Sequence, residues 1–208
     1  PLPLFREYLQ KGYYPMAIED NLTIRLGQIL NITLEVDIPQ FANLSVTTAR
    51  KLKKLLLVVA ESVPFKPNFL SLAGKLEVSR NSLEEYLTLI EDAGLIARLR
   101  NQASGLIGLG KVEKVYLDNC NLIYYLSGKE PATGNIRETF FMNQMRVNNA
   151  VVSSAVADFK IDKYTFEVGG KSKSQEQIKD TPNAFIVKDD IEYGYQNVLP
   201  LWAFGLNY

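Results

Sequence analysis

The chain has 208 residues, 47% of them hydrophobic and 22% charged, and its 23 Lys/Arg balance 23 Asp/Glu. That composition is ordinary for a globular protein, long enough for one large or two small domains, and carries no global field to draw in a polyanion. With no histidine and one cysteine, Cys120, it excludes Ser-His-Asp and Cys-His nucleophiles, histidine-ligated zinc, an imidazole base and an intrachain disulfide.

One lone thiol fits a reducing, cytoplasmic compartment. No apolar run reaches membrane-spanning length, and no signal peptide or small-molecule site is evident. The chain opens at Pro1 without a methionine and reads as a piece of a longer protein.

Residues 1–43 read as helices joined by a loop. Phe5 to Leu9 is helical, Lys11 to Pro15 is its stop, and a second helix covers Ile18 to Leu34 and ends before Asp37-Ile38-Pro39. This segment is too small to fold alone and packs on something else.

Residues 44–118 are mildly basic, with 11 Lys/Arg against 8 Asp/Glu. Thr47 to Ser62 is an amphipathic helix with Leu52, Leu55, Leu56 and Val59 at helical spacing. Pro64 and Pro67 break it. Asn68 caps a short helix through Leu76, Glu77-Val78 turns, and Ser79 caps a third helix that Gly94 ends. Strands from Leu95 to Arg100 and Lys111 to Leu117 follow, joined by a loop with Gly105, Gly108 and Gly110. That order is the order of a winged helix-turn-helix. Its recognition helix offers Arg80, Asn81 and Ser82 to DNA, and Arg98, Arg100, Lys111 and Lys114 flank the wing. Glu84, Glu85, Glu91 and Asp92 on the same helix oppose phosphate, so docking between domains is the alternative use of this module.

Residues 119–208 begin with a helix from Asn121 to Leu126 and a longer one from Asn135 to Arg146, with Glu138 on its first turn. Ala157 to Lys171 reads as two short strands about a tight turn at Asp162-Lys163, which sets Asp158 opposite Glu167. Opposed residues on one face have Cβ atoms about 4.5–5.5 Å apart. Two carboxylates that close repel unless a cation or proton lies between them, and Mg²⁺ takes such oxygen ligands. Lys171 shares that face on a regular strand. The alternative places Asp158 and Glu167 on a solvent face, with Phe159, Ile161, Phe166 and Val168 inward. Lys171 to Lys179 begins a helix, Ala184 to Val187 is a strand, and Val198 to Leu206 is an apolar closing segment. The fold class is α+β, a winged helix-turn-helix followed by a small mixed sheet flanked by helices.

Several stretches resemble the C-terminal region of a family of bacterial and archaeal AAA-type ATPases. Phe5-Arg6-Glu7-Tyr8-Leu9 with Gly12-Tyr13-Tyr14-Pro15 looks like the segment after the ATPase core. Ser79-Arg80-Asn81-Ser82-Leu83 with Ala93-Gly94-Leu95-Ile96 is similar to that family's winged helix. Lys114 to Asn119, Gly134 to Phe141 and Glu167-Val168-Gly169-Gly170-Lys171 look like its C-terminal domain of unknown function. The resemblance implies a restriction-endonuclease-like, PD-(D/E)XK fold over 119–208. It implies Glu138, Asp158, Glu167 and Lys171 as catalytic positions, with Mg²⁺ on Asp158 and Glu167. The Gly169-Gly170 insertion departs from Glu-x-Lys and makes Lys173 a second candidate for the lysine. No Gly-x-x-x-x-Gly-Lys-Ser/Thr occurs, so ATP belongs to an upstream domain. Three readings follow: a DNA- or partner-binding region with a degenerate nuclease-like domain, a Mg²⁺-dependent nuclease, or a protein-interaction module anchored by Tyr193, Tyr195, Trp202 and Phe204.

Overall fold

The computed structural model describes residues 1–61, 64, 66–102, 110–128 and 130–207. Ser62, Gly105 and Gly108, which the sequence places at a helix end and in the glycine-rich loop, lie outside the described residues. Among these residues no helix is long and apolar enough to cross a membrane.

Helix α1 (Leu2–Lys11) buries Phe5 and Leu9, four apart and so on one face. A 3₁₀ turn at Pro15–Ile18 precedes α2 (Leu22–Ile32), which starts four residues after the expected Ile18. The helix also does not stop before Asp37. It continues through a π-turn at Thr33–Asp37 into α3 (Ile38–Phe41). In a regular helix the ring of Pro39 would meet the carbonyl four residues back. A wider turn just ahead of it gives the ring room, so the helix continues.

Helix α4 (Val46–Glu61) buries Leu52, Leu55, Leu56 and Val59, the stripe its sequence repeats. The side chain of Asn68 accepts from the Ser71 N–H at the start of α5 (Phe69–Leu76). Ser79 does the same for Ser82 at the start of α6 (Arg80–Asp92). Gly94 ends α6 with φ +72°, a conformation that side chains resist. Strands β1 (Ile96–Arg100) and β2 (Val112–Leu117) pair antiparallel. Helix α7 (Cys120–Leu126) is capped by Asn119, and α8 spans Thr133–Met145.

The remaining strands are β3 (Val151–Ser153), β4 (Phe159–Ile161), β5 (Tyr164–Gly169), β6 (Ala184–Lys188) and β7 (Val198–Pro200). The sequence reading misses β3, whose three residues are too few to display an alternating pattern. The helix expected from Lys171 is only a 3₁₀ turn at Glu176–Ile178. Its polar sequence has no apolar stripe to bury.

The described residues form a mixed α+β architecture around one seven-stranded sheet of order β2-β1-β3-β4-β5-β6-β7. Strands β3, β4 and β5 alternate antiparallel, while β5, β6 and β7 run parallel. The turn at Asp162-Lys163 sets the expected register, with Phe159 opposite Phe166 and Ile161 opposite Tyr164. The β1–β2 hairpin joins this sheet through the single parallel pair Arg100–Val152. The strands of segments 44–118 and 119–208 therefore belong to one sheet.

One apolar cluster runs from Phe5 to Leu201 and includes residues of α1, α4, α6, β1, β2, α8 and β5. Helix α8 lies within it, with Phe140 and Phe141 fully buried. The Phe141 ring centroid lies 4.9 Å from Phe159, 5.3 Å from Phe166 and 4.9 Å from Phe204. The N-terminal segment is tied on by polar groups as well. Tyr13 donates to Asp118 Oδ2 at 3.0 Å, Arg146 pairs with the same carboxylate, and Asn121 donates to the Lys11 carbonyl.

A core shared by all segments predicts one cooperative transition. Phe141→Ala removes the central ring and is expected to lower stability by about 3–5 kcal/mol. The fluorescence of the single tryptophan, Trp202, and the far-UV circular dichroism should shift to lower urea concentration together. Separate transitions for the two signals would show that the segments unfold independently.

Candidate functional site

Lys114 and Tyr116 are two apart on β2 and so project from one face. That face meets the first half of α8. Lys114 Nζ donates to Glu138 Oε2 at 2.8 Å, and the Tyr116 hydroxyl donates to the same oxygen at 2.8 Å. The same ammonium reaches Asp158 Oδ1 at 3.2 Å. Asp158 immediately precedes β4, and its other oxygen accepts the Val168 N–H of β5 at 3.0 Å. One lysine thus spans two acids from different elements, and a backbone bond fixes the second acid.

Glu167, on β5, is the third carboxylate and is 3% exposed. Lys173 pairs with its Oε1, and Gln177 Nε2 donates to its Oε2 at 3.3 Å. The solvent-face alternative for Glu167 is therefore wrong: β5 is covered on both faces, with Thr165 and Glu167 buried as well as Phe166 and Val168. Lys171 is exposed, and its carbonyl accepts from Lys188. Among the described residues it is Lys173, not Lys171, that meets Glu167. The glycine pair explains the exchange. A Cβ on Gly169 would lie 2.7 Å from Lys173 Cβ, so only glycine lets the chain fold back and deliver Lys173.

Burial pushes the Glu167 carboxyl above its ordinary value, and the charges of Asp158 and Glu138 push the same way, against the opposing pull of Lys173. For Lys114 burial acts against the ammonium, but Glu138 and Asp158 together outweigh it and hold the pKa above the usual lysine value. Burial and the neighbouring Glu138 keep the Tyr116 hydroxyl protonated. The three acids are close enough to feel one another, and two lysines neutralise most of their charge.

The carboxylates as arranged do not fit a divalent ion. Both Asp158 oxygens and the bonded Glu138 oxygen are already engaged by an ammonium, a hydroxyl or a backbone N–H. Among the described residues no group of three His, Cys, Asp or Glu side chains is placed to hold a metal.

Beside the cluster lies a groove of about 720 Å³. Asn101, Gln102, Glu113 and Lys114 from the hairpin side line it, together with Ser153, Asp158 and Lys160 from the sheet and Lys66 from the segment after α4. Among the described residues its lining holds three lysines and two acids. The convergent lysines suit an anionic backbone.

The predicted DNA-contacting residues are dispersed in role. Arg80 and Asn81 are exposed at the start of α6, where Arg80 pairs with Glu84. Ser82 is taken up by the cap with Ser79. Arg98 is 10% exposed and bonded to Glu91, so its role here is to hold α6 on β1. Arg100 donates to the Gly110 carbonyl, and Lys111 is exposed. A second groove of about 420 Å³ is lined by Arg80, Arg100 and Lys111, but also by Glu84 and Glu85. Of the aromatic anchors, Trp202 and Phe204 pack on the core, while Tyr193 and Tyr195 are exposed.

The sequence sets Lys114 beside the wing and carries no local sign of its link to Glu138. The period-two spacing of Lys114 and Tyr116 marks a shared face, but only the packing of α8 shows what that face meets. A model of a domain of unknown function, DUF8612, matches residues 2–133. No curated protein and no solved structure matches the chain.

Glu167 binds its proton more tightly folded than unfolded. Its contribution to stability is therefore full below the ordinary carboxylate value of 4.5 and is lost as pH rises through the raised value. Glu167→Gln removes that titration. Urea midpoints should show the variant gaining on the parent as pH rises above 4.5. A difference that stays constant as pH rises from 4.5 would mean that Glu167 is not held with a raised pKa.

Proposed function

We propose that this chain, which belongs to the DUF8612 family of domains of unknown function, is a nucleic-acid-binding region. In this reading it is the C-terminal part of an AAA-type ATPase, with ATP bound by an upstream domain. A winged helix covers α4 to β2, and a restriction-endonuclease-like domain begins at α8. The helix, turn, helix and hairpin order supports the first. The run of α8, β3, β4, β5 and β6, with acids at Glu138, Asp158 and Glu167, supports the second.

The observation that carries the reading is the lysine-lined groove, because both halves of the chain build it. Lys66, Lys114 and Lys160 come from three separate segments and converge there. Convergent lysines with amide and hydroxyl neighbours recognise phosphates irrespective of base sequence. Arg80, Asn81 and Lys111 would extend the contact along the exposed start of α6.

A metal-dependent nuclease is the second reading. It is favoured by Asp158, which lines that groove, and by the charges of Glu138 and Asp158 acting on Glu167. Mg²⁺ would require Asp158 and Glu167 to exchange their present partners, with Lys173 rather than Lys171 as the nearby lysine. Mn²⁺-dependent cleavage of linear or branched DNA, abolished by Glu167→Ala, would establish this reading.

Fluorescence anisotropy with labelled duplex and single-stranded oligonucleotides tests the binding proposal. Affinity should fall steeply with salt. Lys66→Ala and Lys160→Ala should each reduce the slope of log K against log salt by about 0.9 on duplex or about 0.7 on single strands. Absence of binding at low salt, or slopes unchanged by both substitutions, would rule it out.

A further inference from the structure

Lys114 belongs to two places at once. Its ammonium lies between Glu138 Oε2 and Asp158 Oδ1, at 2.8 and 3.2 Å, and its side chain also lines the groove of about 720 Å³. It reaches both from β2, the edge strand of the sheet, whose hairpin joins the other strands through one residue pair.

We propose that Lys114 is an internal cation that plugs the carboxylate cluster, and that a phosphodiester backbone in the adjoining groove is the ligand that withdraws it. The second half rests on the nucleic-acid reading above; the first does not.

The plug follows from geometry and charge. One nitrogen lies within hydrogen-bond distance of both acid oxygens, so a single cation, the ammonium, already bridges them. A divalent ion binds carboxylate oxygens at about 2.0–2.6 Å and would have to occupy the space that the ammonium fills. Two cations that close repel, so ammonium and metal exclude each other. Tyr116 adds a second donor to the Glu138 oxygen, and the Val168 N–H holds Asp158 in place, so the acids stay aligned on Lys114. Lys173 plays the corresponding part on Glu167.

Withdrawal follows from what faces the lysine on its other side. The groove offers Lys66 and Lys160 as fixed positive charges, with Asn101, Ser153 and Ser154 as neutral donors. A phosphate bound there presents oxygens to Lys114 that compete with Glu138 and Asp158. Once the ammonium turns to phosphate, two half-buried acids are left without their cation. Anion binding in the groove and cation binding at the acids are then coupled, and each must strengthen the other by the same factor.

Calorimetric titration with Mn²⁺ tests this on the chain as it stands. The parent protein alone should show no saturable binding. Lys114→Met, which keeps most of the length of the side chain without its charge, should bind about one equivalent. Adding Glu138→Gln to that variant should weaken the binding at least tenfold. Lys114→Gln serves as the second variant should the methionine not fold, as checked by circular dichroism. Saturable Mn²⁺ binding by the parent alone, or none by a folded Lys114 variant, overturns the plug.

The parent should gain Mn²⁺ binding when saturated with a single-stranded oligonucleotide. An oligonucleotide that binds by anisotropy yet brings no Mn²⁺ binding overturns the withdrawal step alone. An oligonucleotide that does not bind overturns both the withdrawal step and the nucleic-acid reading, while the Lys114 variants still decide the plug.

Discussion

Helix α8 packs into the protein on almost every side, and the rest of the arrangement depends on that burial. A helix at the surface shows one apolar stripe, whereas Ile136, Thr139, Phe140, Phe141, Met142, Asn143 and Gln144 are all buried. Phe141 inserts among Phe159, Phe166 and Phe204, which pins the helix against β4, β5 and the closing segment. Phe5 and Tyr8 of α1 stack edge-on against Phe140. With the helix held by rings, Glu138 has little freedom, and β2 can present Lys114 and Tyr116 to it at a defined distance. The acid site is thus a consequence of an aromatic core.

Charge balance is the second constraint. Three carboxylates near one another destabilise a fold unless cations or protons compensate them. Here lysines from two different places do so: Lys114 comes from the hairpin and Lys173 from the loop beyond β5. Removing one partner of a buried pair costs more than the pair contributes, because it leaves a desolvated charge behind. The hairpin is consequently held to the sheet by electrostatics as well as by its single strand pair.

Much of the local structure was legible in the residues. Asn68 and Ser79 announce helix starts because a short polar side chain satisfies an otherwise unpaired N–H. Asp162-Lys163 announces a two-residue turn, and the register of Phe159 with Phe166 follows from it. Asp158 and Glu167 were visible as opposed positions of a hairpin, while Glu138 entered only through the family resemblance. The continuity of helix across Pro39 was hidden, because a proline signal is read against regular α-helix and the chain accommodates it with a wider turn. Strand β3 was hidden because its hydrogen bonds, not its side chains, define it.

By itself the sequence determined the helix starts at Asn68 and Ser79, the turn at Asp162-Lys163 and the absence of imidazole chemistry, since caps and turns act over a few neighbouring residues. Which cation meets which acid was decided only by the tertiary structure. Lys114 lies 24 residues from Glu138 and 44 from Asp158. Across such separations no periodicity survives, and the partners are chosen by how α8 and the hairpin pack. The same holds for Lys173 in place of Lys171: both are lysines after a glycine pair, and only the path of the backbone over Gly169 selects between them.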